Sequence, residues 1–301
     1  MEVLVAGASG FIGTALTAML RAAGHRPIAA VRGRSAPAGV DGIAWDPAAG
    51  HIDAHALEGI DAVVNLAGAG IGDRRWTEDR RQLIEDSRSR PTELLASTIT
   101  KLKSPPRMFV SGSAVGYYGD RGDSELTEDA GPGDDFTARL CVAWEAAAKP
   151  AADAGISVAT IRTGIVLGAG GGLLRRIVAP FRLGLGGRVG SGRQYLSWIS
   201  MADETRAILY LLEHPEIAGP VNLTAPNPVT NAEFTTALGH ELHRPTRLPT
   251  PLALLHVVYG SELVRTLLLA SQRALPRALT DAGFRFQHPT VEAALAAALA
   301  S

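Results

Sequence analysis

The chain opens on a short apolar run, Glu2 to Ala6 (EVLVA), rich in β-branched valine and stopped at once by glycine. Such a run predicts a buried strand. From Thr14 to Ala23 apolar residues recur at helical spacing up to Gly24, so a helix follows, and Pro27 to Val31 returns as strand. The alternation continues. Ala62 to Leu66 (AVVNL) predicts a strand, Thr77 to Ile99 a long charged helix adjusted near Pro91, and Arg107 to Ser111 (RMFVS) another strand. Ala138 to Ala154 has a helical pattern that Pro150 is expected to kink or divide, and Ser157 to Arg162 (SVATIR) closes the series. Strands alternating with helices predict a parallel sheet covered on both faces. Residues 1–163 therefore read as a doubly wound α/β domain of the Rossmann kind, with ligands at the carboxyl ends of its strands.

Beyond Arg162 the pattern loosens. Glycines crowd between Gly164 and Gly192 around one helical stretch (LLRRIVAPFRLGL), which suits a ligand-facing lobe better than regular sheet. Residues 164–248 are read as a smaller α/β substrate lobe that partly rejoins the first domain. Within it Met201 to Glu213 predicts helix, Val221 to Leu223 strand, and Asn231 to Leu242 a helix with Asn231 as its cap. Residues 249–301 look almost wholly helical. Their stretch from Pro251 to Leu268 either caps the substrate lobe or forms a dimer face, which leaves the oligomeric state open.

Composition narrows the function classes. The 301 residues are 46% hydrophobic and 20% charged, ordinary for a globular chain, and a net charge of -1 offers no basic field for nucleic acid. The pairs Arg74-Arg75 and Arg80-Arg81 are interleaved with acids and read as a solvated helix face. Cys141 is the lone cysteine, so no intrachain disulfide forms; a reducing compartment is expected, with Cys141 buried as a small apolar residue. The chain starts directly on a strand, with no room for a secretory leader, and the apolar stretch from Leu252 to Ala270 is broken by His256, Glu262 and Arg265. The expectation is a cytoplasmic protein without a membrane partner.

Candidate chemistry begins at the first turn. Gly7, Gly10 and Gly13 follow a predicted strand and open a predicted helix. The first glycine permits the tight turn, the second lets backbone approach a pyrophosphate, and the third lets helix and strand pack closely. Free N–H groups at the helix start then face the phosphates, with Ser9, Phe11 and Ile12 lining the same loop. At the end of the second strand, where an NAD-selective site carries an acid, the chain reads Val31-Arg32-Gly33-Arg34. Arg32 and Arg34 suit a 2′-phosphate, so NADP(H) is the expected cofactor. Leu66, Ala67 and Gly68 end a further strand with small or apolar residues that let the cofactor lie against backbone, and Thr163 is placed beside the nicotinamide. His51 and His55 have helical i, i+4 spacing but sit beside Pro47 and Gly50 at a loop edge, and His240 and His243 are three apart, not the spacing of a zinc-peptidase helix, so no metal site is expected.

With GASGFIG, VVNLAGAGI, DSRSR, SAVGYYG, RTGIVLG, GSGRQYLSWI and ALPRALTDAGFRFQHPT in view, the chain resembles the extended and atypical short-chain dehydrogenase/reductases. It is similar in particular to the epimerase-family proteins labelled sugar-nucleotide epimerase-like, from Val3 to about Leu299. The resemblance implies a Rossmann domain, a smaller carboxyl-terminal lobe and a helical end segment. It also implies a serine and a Tyr-x-x-x-Lys pair at the nicotinamide, with the tyrosine transferring a proton and the lysine lowering its pKa. Ser113 matches the serine, whereas the tyrosine position falls on Phe136 and the lysine position on Leu140. Neither replacement carries an ionisable proton. Tyr118, Tyr117, Asp134 and Asp135 are the candidate replacements, Tyr118 and Tyr117 first because they adjoin Ser113; the alternative is that both tyrosines only pack the strand end. On the substrate side, the segment matching GSGRQYLSWISMAD closes over the ligand in related enzymes. Arg193 is there either a partner for phosphate or carboxylate or a loop salt bridge, and Trp198 with Tyr195 can stack on a planar or sugar face. Two functions stay open. One is an NADP(H)-dependent, epimerase-like oxidoreductase acting on a nucleotide sugar or other small carbonyl compound; the other is a cofactor-bound sensor or interaction protein without turnover.

Overall fold

The computed structural model describes residues 1–33 and 36–300. Along the chain lie β1 (Glu2–Ala6), α1 (Phe11–Ala22), β2 (Arg26–Val31), β3 (Asp41–Asp46), β4 (His51–Ile52), β5 (Ala62–Asn65), α2 (Glu78–Ile99) and β6 (Met108–Ala114). Next come β7 (Glu125–Leu126), α3 (Phe136–Asp153), β8 (Ser157–Thr163), β9 (Ile165–Leu167), α4 (Leu174–Arg182), β10 (Tyr195–Leu196), β11 (Trp198–Ser200) and α5 (Met201–Glu213). The remainder holds β12 (Gly219–Leu223), β13 (Val229–Thr230), α6 (Asn231–Glu241), α7 (Leu252–Tyr259), α8 (Ser261–Leu263), a π-helical turn at Val264–Leu269, β14 (Arg273–Ala274), α9 (Arg277–Asp281) and α10 (Val291–Leu299).

The main sheet has the order β12-β8-β6-β5-β1-β2-β3-β4, parallel throughout except for the antiparallel β3–β4 pair at its edge. The reversal of winding falls between β1 and β5, where the loops of successive units diverge and leave a crevice. Strand periodicity decides the layers. Val3 and Val5 of β1 face Leu16 and Leu20 of α1 and Ile208, Leu211 and Leu212 of α5. Leu4 and Ala6 face the other layer, with Leu95, Ala96 and Ile99 of α2 and Ala148 and Ala151 of α3. A separate cluster joins α4, α6 and α10 around Trp198.

Helix boundaries follow local chemistry. The Thr77 hydroxyl accepts from Arg80 N to start α2, which continues through Pro91, and α3 likewise continues through Pro150 to Asp153. The cap of α6 is Thr230 rather than Asn231: Thr230 and Glu233 form a capping box, while the Asn231 side chain instead accepts from Val189 N. Strands β3 and β4 go beyond the sequence expectation. The carboxyl-terminal segment is also less helical than expected, because Arg273–Ala274 pairs with β7. Its Leu263, Tyr259 and Leu267 pack against Trp76, Phe136 and Leu140. No described helix is long and apolar enough to cross a membrane.

Candidate functional site

The turn between β1 and α1 is closed by sterics. Gly7 has φ +85°, and a Cβ there would stand 2.9 Å from the Leu66 carbonyl. A Cβ on Gly13 would stand 2.1 Å from Gly7 O, so glycine is required for α1 to start this close to β1. Gly10 caps α1 without a side-chain hydrogen bond, and both Ser9 and Gly10 are exposed. The first amide groups of α1 are thereby presented at the carboxyl edge of the sheet. Phe11 leans the other way, under the loop at Gly168, Gly171 and Gly172, where a Cβ on Gly171 would collide with its ring at 2.1 Å. Ile12 packs into the α1 layer. Arg32 is exposed just past β2, and Arg34 lies outside the described residues.

Across the crevice, Asn65 fixes the turn at Leu66, Ala67 and Gly68. Its Oδ1 accepts from Ala67 N at 3.1 Å and its Nδ2 donates to Thr92 Oγ1 at 2.8 Å. At the end of β6, the Ser113 hydroxyl donates to Glu145 Oε1 over 2.7 Å. Arg162 grips the same carboxylate with two bonds, Nε to Oε1 at 2.9 Å and Nη2 to Oε2 at 3.0 Å. Burial works against the Arg162 charge, but the Glu145 carboxylate outweighs it and holds the guanidinium above its ordinary proton affinity. The neighbouring Cys141 thiol is pushed up to about 12 by burial and by Glu145, so it stays protonated.

Thr163, one residue after Arg162, donates to Glu204 Oε1 at 3.0 Å. Glu204 is fully buried on α5, its other oxygen lacks a partner among the described residues, and burial pushes its pKa up to about 8. Neither Glu204 nor the buried Arg88 figures among the sequence candidates. Each sits on the apolar stripe of its helix, Glu204 three and four residues before Ala207 and Ile208, and Arg88 four after Ile84. A charged residue in that register was the available signal.

Two of the sequence candidates are overturned by burial. Trp198 is 0% exposed and donates through Nε1 to Asn227 O, so it packs the lobe and no ligand can stack on it. Tyr118 is also 0% exposed. Its hydroxyl donates to Asn222 Oδ1 at 2.7 Å and accepts from Arg162 Nη1 at 3.1 Å, and burial raises its pKa, which together remove it as a proton donor to a substrate. Tyr117 is half-buried with the Arg162 guanidinium 3.5 Å over its ring centre, a cation–π contact. Asp135 caps α3. Phe136 and Leu140 are buried, Phe136 edge-on to Trp76 at 4.9 Å. Arg193 is exposed and makes no ion pair among the described residues, while Tyr195 lies beneath the Arg273 guanidinium at 5.0 Å.

A doubly wound sheet whose first turn is a glycine cradle under an uncapped helix terminus defines a dinucleotide-binding protein of the Rossmann class. Residues 3–223 match the NAD dependent epimerase/dehydratase family, and residues 250–298 match a domain of unknown function, DUF1731. The chain belongs to that epimerase/dehydratase family. It is 48% identical to epimerase family protein MT2273 of Mycobacterium tuberculosis, over 97% of this chain and 96% of the relative. The crystal structure of human epimerase family protein SDR39U1 with NADPH superposes with a TM-score of 0.91 at 38% identity, covering 100% of both chains. A nucleoside-diphosphate sugar epimerase from Corynebacterium glutamicum gives 0.81 at 36% identity, covering 99% of this chain and 58% of that one.

Proposed function

We propose that this protein is an NADP(H)-dependent oxidoreductase of epimerase-like type, acting on a small carbonyl compound or nucleotide sugar. The observation that carries it is the glycine cradle at the open start of α1, with Arg32 exposed at the tip of β2. A Cβ at Gly13 would close that cradle, and the human relative crystallised with NADPH supports the phosphorylated form. When bound, the dinucleotide supplies or accepts a hydride. The chain supplies the rest. Helix α1 amides and Gly7, Ser9, Gly10, Phe11, Ile12 and Gly13 hold the diphosphate side, Arg32 and Arg34 the 2′-phosphate, Leu66 to Gly68 lie against the adenosine and ribose side, and Thr163 flanks the nicotinamide.

Ser113 is the group in reach of a reacting oxygen. Its hydroxyl already donates to Glu145, so its free lone pairs accept a substrate O–H while the serine proton moves toward the carboxylate. Arg162 holds Glu145 in place for that relay. Tyr117 positions Arg162, and Arg193 is the cation available to an acidic part of the substrate. The apolar seal over Phe136 and Leu140 favours a second reading, a cofactor-bound sensor without turnover. Steady-state NADPH oxidation across aldehydes, ketones and nucleotide sugars separates the two. Turnover that falls at least about a hundredfold in Ser113→Ala, with NADPH affinity kept, is expected for the enzyme. Binding of NADPH without turnover on any substrate would leave the sensor. A preference for NADH over NADPH, unchanged by Arg32→Ala, would defeat the cofactor assignment.

A further inference from the structure

Large apolar side chains left in water are ordinarily scattered singly over a protein surface. Here they are gathered. Among the described residues eight are exposed, and six of these fall in two short segments: Leu183 and Leu185 in one, Leu248, Leu254, Val257 and Val258 in the other. Leu183, Leu248 and Val257 are 75%, 72% and 74% exposed, so they project from the surface and do not line a groove. Helix α7 (LALLHVVY) is apolar at every position but His256, yet none of its residues is buried. Its Leu254, Val257 and Val258 stand at i, i+3 and i+4 and share one face.

The two segments lie side by side. Thr250 donates through N to Arg188 O and through Oγ1 to Gly187 O, both at 2.9 Å, and Arg244 Nε donates to Arg182 O at 2.7 Å. A Cβ on Gly187 would stand 1.7 Å from Leu248 O, so this approach requires glycine. Their charge is one-sided. Residues 182–192 and 242–261 hold Arg182, Arg188, Arg244 and Arg247 but no Asp or Glu, in a chain whose 29 Lys and Arg are balanced by 30 Asp and Glu. All four arginines are exposed. None forms an ion pair among the described residues, and the hydrogen bonds of Arg188 and Arg244 go to backbone carbonyls.

We infer that this face docks on an anionic lipid bilayer, its leucines and valines entering the headgroup boundary while its arginines pair with lipid phosphates. Charge selects the partner. A second copy of the chain would bring the same arginine set against itself with no acid between, because a two-fold contact joins identical surfaces. Shape points the same way. A folded partner needs a hollow for each projecting side chain, whereas fluid lipid accepts them without one. The composition argues against a membrane partner because its apolar stretch is broken by charge; lying on a bilayer is a different property, set by apolar tips beside cations.

Vesicle flotation of the full chain tests the inference, with about one third phosphatidylglycerol in phosphatidylcholine compared with phosphatidylcholine alone. The chain is expected to float with the anionic vesicles only, and to be released as salt rises from about 0.1 M to about 1 M. Leu183→Ser with Leu185→Ser should abolish flotation, and Arg182→Gln with Arg247→Gln should weaken it about tenfold or more. Lys101→Gln with Lys103→Gln, an equal loss of exposed charge after α2, should change it less than about twofold. Every substituted side chain is exposed, so melting temperatures should stay within about 2 °C of wild type, and the arginine pair decides the matter if the serine pair does not fold. Wild type that stays off anionic vesicles, or flotation indifferent to both pairs of this face, overturns the inference. Light scattering that finds a dimer dissolved by the serine pair would give the face to a second copy and overturn it as well.

Discussion

Glu204 ties a residue-scale feature to a pH-scale outcome. Its carboxyl is pushed up to about 8 by burial, against an ordinary 4.5, with the Thr163 hydroxyl offsetting only part of the effect. The folded chain therefore binds that proton more tightly than the unfolded chain does. The stability it contributes is full below about pH 4.5 and is lost as pH rises through about 8. Glu204→Gln keeps the shape and removes the titration, so its melting temperature should gain on wild type steadily from about pH 5 to about pH 9. Parallel melting curves across that span would contradict it. Tyr118 makes the complementary case, because its hydroxyl serves only protein partners. Tyr118→Phe leaves Asn222 Oδ1 short of a donor and should cost about 1–3 kcal/mol in urea unfolding, with NADPH titration unmoved. A large loss of cofactor affinity without a loss of stability would return that hydroxyl to the site.

Among elements, α1 carries the most of the proposed function for its length, because its first turn is both a helix start and the proposed phosphate seat. Gly13→Ala would place a methyl 2.1 Å from Gly7 O, so α1 must move off β1. NADPH binding should be abolished and the melting temperature lowered, while Gly24→Ala, with nothing within 4 Å of its Cβ but φ +78°, should cost stability alone. This element was legible from its glycine spacing, as were the five strands of the expected series and helices α2, α3 and α5, whose period is long and regular. Strands β3 and β4 were not. Asp41–Asp46 buries only Ile43 and Trp45, a strand next to the sheet edge and too polar to stand out from a loop. Trp198 read as a binding aromatic because the segment it matches closes over the ligand in related enzymes, but its strand runs into the centre of a third cluster. Arg88 and Glu204 were hidden for a related reason. Their helical register pointed inward, and charge alone placed them outside.

At the scale of the molecule, the carboxyl-terminal segment holds both units together through polar contacts at the sheet edge. Asn222 of β12 donates to the Leu126 and Leu275 carbonyls, Glu128 accepts from the amides of Asn222 and Ala278, and Leu279 enters the α1 layer of the main core. Leu279→Ala should therefore destabilise the whole protein by about 2–5 kcal/mol in a single unfolding transition. Two separate transitions would show instead that the segment is a detachable appendage. The same stitching has a consequence for synthesis on the ribosome. Strand β12 emerges with the Asn222 bond to Leu275 still to form and a Leu279-sized gap in the α1 layer, and both wait for some fifty more residues to be translated. A stalled message of that length would release a chain with its sheet margin unsealed, a natural substrate for chaperones and proteases rather than a smaller folded protein.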